Sequence, residues 1–125
     1  MNIPVDLLYT KDHEWIRVED GIGVIGITDF AQSQLGDIVF IEIETVGETL
    51  QKGETFGTIE AVKTVSDLFI PVSGEVIEAN PMLENSSALI NSDPYGEGWL
   101  IKVKIADAAE LSGLMSAEEY KSICQ

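Results

Sequence analysis

Between Thr55 and Ile70, side chains alternate in character up to Lys63 and away from it, a pattern that confines the stretch to a β-hairpin. On the first arm Thr55, Gly57, Ile59 and Ala61 are expected on one face, and Phe56, Thr58, Glu60 and Val62 on the other. On the second arm Val65, Asp67 and Phe69 alternate with Ser66, Leu68 and Ile70. The turn falls at Val62-Lys63-Thr64, which holds no Gly, Asn, Asp or Pro and is poor turn chemistry. Something other than turn propensity therefore selects these residues. Charge marks the same spot. From Gly53 to Ile101 the chain carries eight acids (Glu54, Glu60, Asp67, Glu75, Glu78, Glu84, Asp93, Glu97) and one base, Lys63. By pattern alone Lys63 is a solvated lysine on a hairpin tip.

The rest of the chain reads as short strands with two helices. His13–Val18 alternates and ends in the turn Glu19-Asp20-Gly21. Gly21-Ile-Gly-Val-Ile-Gly26 fits the dinucleotide pattern, but a turn precedes it and Val24–Ile27 continues as a strand, so the match is accidental. A short helix near 29–35 follows, with Asp29 as N-cap, Gln32 three residues on, Ala31 and Leu35 on one face, and Gly36 as the stop. In the next strand Val39, Ile41 and Ile43 are expected on the buried side. Val72–Val76 faintly echoes Val46–Leu50. Trp99, Ile101, Val103 and Ile105 alternate with Leu100, Lys102 and Lys104, giving a strand with one wet face. A C-terminal helix near 116–124 is capped by Ser116 with Glu119 as a capping box, and Met115 and Tyr120 form a hydrophobic staple. Its inner stripe is Tyr120, Ile123 and Cys124.

At 125 residues the chain is expected to form one domain, 1–125, mainly β, with a modest core. A net charge of -15 argues against nucleic acid and anionic membranes, and favours basic partner surfaces. The single cysteine, Cys124, makes no internal disulfide, and with one histidine no thiol-based metal site forms. No apolar run is long enough to span a membrane. The N-terminus has neither secretion-signal nor transit character, which predicts a bacterial cytoplasmic protein or a mature form. His13 stands between Asp12 and Glu14, whose alternation forbids convergence on a metal, so a structural or interface role is expected. No catalytic constellation is present.

Four blocks, in order, carry a resemblance. They are Tyr9-Thr-Lys-Asp-His-Glu-Trp-Ile16, Gly26-Ile-Thr-Asp-Phe-Ala-Gln-Ser-Gln-Leu-Gly-Asp37, Glu60-Ala-Val-Lys63 with Ser66-Asp67 and Pro71-Val-Ser-Gly-Glu-Val76, and Asn91-Ser-Asp-Pro-Tyr-Gly-Glu-Gly-Trp99. Together they resemble the glycine cleavage system H protein family over nearly the whole chain. Ala61 and Thr64 depart from the more usual Ser and Ala at those positions. The resemblance implies a flattened lipoyl/biotinyl-type barrel, a barrel-sandwich hybrid of two small sheets, with the lipoyl hairpin at about 55–70. It implies lipoic acid in amide linkage on Lys63. It also implies that lipoylating enzymes read Glu60 and Gly74; the bland alternative for Gly74 is a turn needing positive φ.

The family's function follows as an expectation. The chain is a non-catalytic carrier whose arm accepts an aminomethyl group from glycine decarboxylase (P protein). It presents that group to aminomethyltransferase (T protein) for transfer to tetrahydrofolate, and dihydrolipoyl dehydrogenase (L protein) reoxidises it. A monomer is expected. Glu14, which the resemblance sets near the hairpin, and Asp67, four residues beyond Lys63, are candidates to line a cleft holding the loaded arm. The alternative is that both are solvated surface charges.

Rival readings remain at this point. A biotin carrier puts methionine on both sides of its lysine, where this chain has Val62 and Thr64. A free-standing lipoyl domain of a 2-oxo acid dehydrogenase is normally one module of a longer chain. An H-like lipoyl donor or scaffold for protein lipoylation shares every motif above.

Overall fold

The computed structural model describes residues 1–124. In chain order its elements are β1 (Leu8–Tyr9), β2 (Glu14–Glu19), β3 (Ile22–Ile27), α1 (Asp29–Leu35), β4 (Ile38–Glu42), β5 (Thr49–Leu50), β6 (Thr55–Ala61), β7 (Val65–Phe69), β8 (Gly74–Ala79), α2 (Leu89–Ser92), β9 (Ile101–Ile105) and α3 (Ala117–Ile123). The strands form two antiparallel sheets, β1-β2-β3-β9-β8-β5 and β4-β6-β7. Both strand orders are linear, so the flattened barrel is two open sheets rather than a closed cylinder.

The core lies between them. Ile16, Ile25, Val76 and Val103 belong to the large sheet, Phe56, Ile59 and Leu68 to the small one, and each is at most 3 % exposed. Burial of each such side chain contributes about 1.5–3 kcal/mol. A second cluster gathers Tyr9, Trp15 and Tyr120 under α3. Tyr9 and Tyr120 stack at 4.7 Å with an interplanar angle of 8°. The Asp20-Gly21 turn joins β2 to β3 with both residues at positive φ, the geometry of a tight type I′ hairpin. The faint repeat becomes a pairing: Thr49 faces Glu75 and Leu50 faces Gly74 across β5 and β8.

Several expectations need correction. Phe56 and Ile59 are both buried, because a bulge between Thr55 and Gly57 inserts one extra residue and switches the inward face of β6. Val39 is 49 % exposed for a related reason: a bulge between Ile38 and Phe40 turns Ile38 inward instead. Ile41 and Ile43 do pack on the core. The N-cap of α1 is Thr28, whose hydroxyl accepts from Ala31 N, and Asp29 occupies the first helical position. In α3 the capping box of Ser116 and Glu119 forms as expected. Its buried stripe is Ala117, Tyr120 and the half-buried Cys124, however, while Ile123 is 45 % exposed. At about 100° per residue, 117, 120 and 124 lie within about 60° of one another, and 123 lies about 60° beyond that arc. Leu100 is fully buried rather than wet.

Candidate functional site

The hairpin ends on the pair Glu60–Val65, leaving Ala61 to Thr64 to turn the chain. Ala61 N donates to Thr64 O at 2.8 Å, and Val62 N donates to Asp37 O at 3.1 Å. The second bond comes from the segment just before β4. The tip is therefore held by tertiary contact, which explains a turn without turn residues. Lys63 projects from it, exposed and, among the described residues, in no ion pair. Glu60 is exposed on the arm leading to it.

Glu14 and Asp67 line one cavity of about 310 Å³ between β7 and α1. Asp67 is exposed at its edge, whereas Glu14 is 2 % exposed. Glu14 opens β2, and one of its carboxylate oxygens accepts from Phe69 N at 2.8 Å while the other accepts from the Thr10 hydroxyl at 3.3 Å. Burial pushes its pKa up to about 8, against the opposing pull of the Phe69 N–H. A carboxyl buried this deeply, with both oxygens engaged by protein donors, is not a solvated surface charge. Phe30, Ala31, Gln34 and Leu35 of α1 form the facing wall. Their role was not singled out from sequence, although their spacing of three and four residues marks one helix face. Lys63 itself does not line the cavity; Thr64 and Val65 separate it from Ser66, the nearest lining residue along β7.

His13, at φ 66°, sits at the turn before β2. Its Nδ1 lies 2.7 Å from the Tyr120 hydroxyl, which lies 2.6 Å from Thr28 Oγ1. Burial holds its pKa below the usual imidazole range. The histidine thus ties α3 to the cap of α1, a structural role. Gly74 stands apart from the tip, on β8 of the large sheet. Its φ is not positive, which removes the turn explanation. A Cβ there would collide with the Lys104 carbonyl oxygen and approach Val103 Cγ1 at 2.6 Å, so glycine is required by the close approach of β9. Among the described residues, no group of three or more His, Cys, Asp or Glu side chains is placed to hold a metal.

Comparison with known proteins decides the family. The glycine cleavage H-protein family model matches residues 7–125. This chain belongs to the glycine cleavage H-protein family. A glycine cleavage system H protein of Bacteroides fragilis is 62 % identical over 123 residues, spanning 98 % of both chains. The H protein of Bacteroides thetaiotaomicron is 63 % identical over 123 residues, again with 98 % of both covered. The crystal structure of an H protein from Mycobacterium marinum superposes with a TM-score of 0.89 at 42 % identity, covering 97 % of this chain and 98 % of that one. The H-protein fold of two open sheets is thereby shared at near full length. Among the described residues, no helix is long and apolar enough to cross a membrane.

Proposed function

We propose that Lys63 carries a lipoyl group in amide linkage and that the chain shuttles it among the enzymes of the glycine cleavage system. The observation that carries this reading is the state of Lys63 in a glycine cleavage H-protein: an exposed amine, in no ion pair among the described residues, on a backbone tip pinned by Asp37. The surroundings suit such a group. The tip leaves the lysine stem free to move, and the cavity beside β7 offers apolar walls with carboxyls at hand.

When attached, the lipoyl group supplies a disulfide that takes up a one-carbon amine and is restored by oxidation of its two thiols. The chain contributes position and surroundings and is not itself the catalyst. Lys63 presents the arm in turn to glycine decarboxylase, aminomethyltransferase and dihydrolipoyl dehydrogenase, and tethering raises the local concentration of the arm at each docked site. Lipoylating enzymes act on Lys63 first, reading Glu60. Gly74 serves that step by keeping β8 against β9. The carrier works as a cytoplasmic monomer.

Glu14 and Asp67 guard the cationic cargo in their shared cavity. A cation entering it draws Glu14 back toward its charged form, so loading releases a proton. The test is reconstitution with carboxyl-labelled glycine and the three partner enzymes. Labelled carbon dioxide is expected from the lipoylated wild type and none from Lys63→Arg. Equal release from both would overturn the reading.

A further inference from the structure

The outer face of the small sheet carries an organised surface beneath Lys63. The strand registers place Phe40, Glu60 and Val65 abreast across β4, β6 and β7, in the last row before the tip. All three are exposed, Phe40 by 53 % and Val65 by 64 %. Val62, at the tip itself, is 71 % exposed. The next row on the same face is Glu42, Thr58 and Asp67, which adds two acids. Phe40 and Val65 thus flank one carboxylate on an exposed sheet face of a chain that carries 22 acids.

We propose that the Phe40–Glu60–Val65 row, with Val62, is the docking face for the enzyme that acylates Lys63. The occupant is an enzyme surface with an apolar rim around a basic side chain, the apolar part meeting Phe40 and Val65 and the base meeting Glu60. This rests on Lys63 being the acylated residue. Reach decides the occupant. In the modification step the Lys63 nitrogen attacks the carbonyl carbon of an activated lipoyl donor. The amide C–N bond forms, the bond from carbonyl to leaving group breaks, the leaving group departs with its electron pair, and the nitrogen gives up a proton. The unmodified lysine offers only its own four-methylene stem, so the enzyme must close onto the row directly below the tip. An enzyme that works at the far end of the finished arm has the length of the acyl chain in addition and can stand off from that row.

The test uses the full-length unmodified chain, a purified lipoylating enzyme, lipoic acid and ATP, with initial rates read by intact mass. Phe40→Ser and Val65→Ser, made separately and each checked by thermal melting, are expected to lower kcat/KM for modification about tenfold, mainly through KM. Ile77→Ser, which removes an exposed apolar residue from β8, is expected to match wild type. After prolonged incubation to full modification, all variants are expected to support glycine cleavage at the wild-type rate. Unchanged modification kinetics in both row variants would overturn the proposal, as would an equal loss in Ile77→Ser or an equal loss in the glycine assay. Absence of any adduct on wild-type Lys63 would instead overturn the underlying reading, and the proposal with it.

Discussion

The Phe69 backbone N–H donates to the Glu14 carboxylate at 2.8 Å, joining the strand that returns from Lys63 to β2 of the opposite sheet. That single bond crosses the two sheets next to the candidate arm cavity. It also places an ionisable group in the interior.

The first prediction follows from that burial. A carboxyl raised to about 8 by folding binds its proton more tightly in the folded than in the unfolded chain. Its contribution to stability is therefore full below the ordinary carboxylate range and is lost as pH rises through about 8. His13, held low by burial, has the opposite slope, losing stability as pH falls below about 6.5. Glu14→Gln keeps an acceptor for Phe69 N without a titrating group. Between about pH 4.5 and 8 the melting temperature of the variant is expected to lack the decline that Glu14 imposes on wild type, and above that window the two curves are expected to run parallel. Parallel declines in the two proteins within that window would contradict the assignment.

Loss of cargo is the second. A charge-assisted hydrogen bond contributes roughly 1.5–3 kcal/mol. With the arm loaded and the partners removed, Glu14→Ala and Asp67→Ala are expected to release formaldehyde about tenfold faster than wild type. A timed colorimetric assay reads this directly. The same decay rate in all three would show that neither acid guards the cavity.

Gly74 gives a third. Gly74→Ala forces a methyl group against the Lys104 carbonyl and Val103, and overpacking of this kind costs about 1–3 kcal/mol. Urea unfolding is expected to show that loss, with slower lipoylation only in step with the unfolded fraction. A stable variant that is not lipoylated would show instead that an enzyme reads the glycine.

The fourth concerns the Tyr120 hydroxyl, which sits between His13 and Thr28. Tyr120→Phe retains the stack on Tyr9 but leaves both partners without it, at a cost of about 1–3 kcal/mol. Calorimetry of the variant checks this. An unchanged melting temperature would mean water replaces the hydroxyl at no cost.

These outcomes also separate what was legible in the sequence from what was not. Period two and punctuation revealed the hairpin, the Asp20-Gly21 turn and the capped α3, because each is local chemistry. The bulges at Val39 and Phe56 were hidden, since an extra residue leaves the composition of a strand unchanged while reversing its faces. Thr28 rather than Asp29 caps α1 because its hydroxyl is also engaged by Tyr120, a contact 92 residues away in sequence. The glycine at 74 and the poor turn at Lys63 share one cause. Each is explained by a neighbouring segment, β9 in one case and Asp37 in the other, that no local reading contains. Sequence pairs Glu14 with Asp67, but the fold buries the first and leaves the second exposed.

The decisive measurement is intact mass with peptide mapping of the chain after incubation with a lipoylating enzyme, lipoic acid and ATP, for wild type, Lys63→Arg and Lys52→Arg. One lipoyl adduct on Lys63 is expected in wild type and in Lys52→Arg, and none in Lys63→Arg. An adduct on any other residue, or one retained in Lys63→Arg, would contradict the assignment of the hairpin tip as the attachment site.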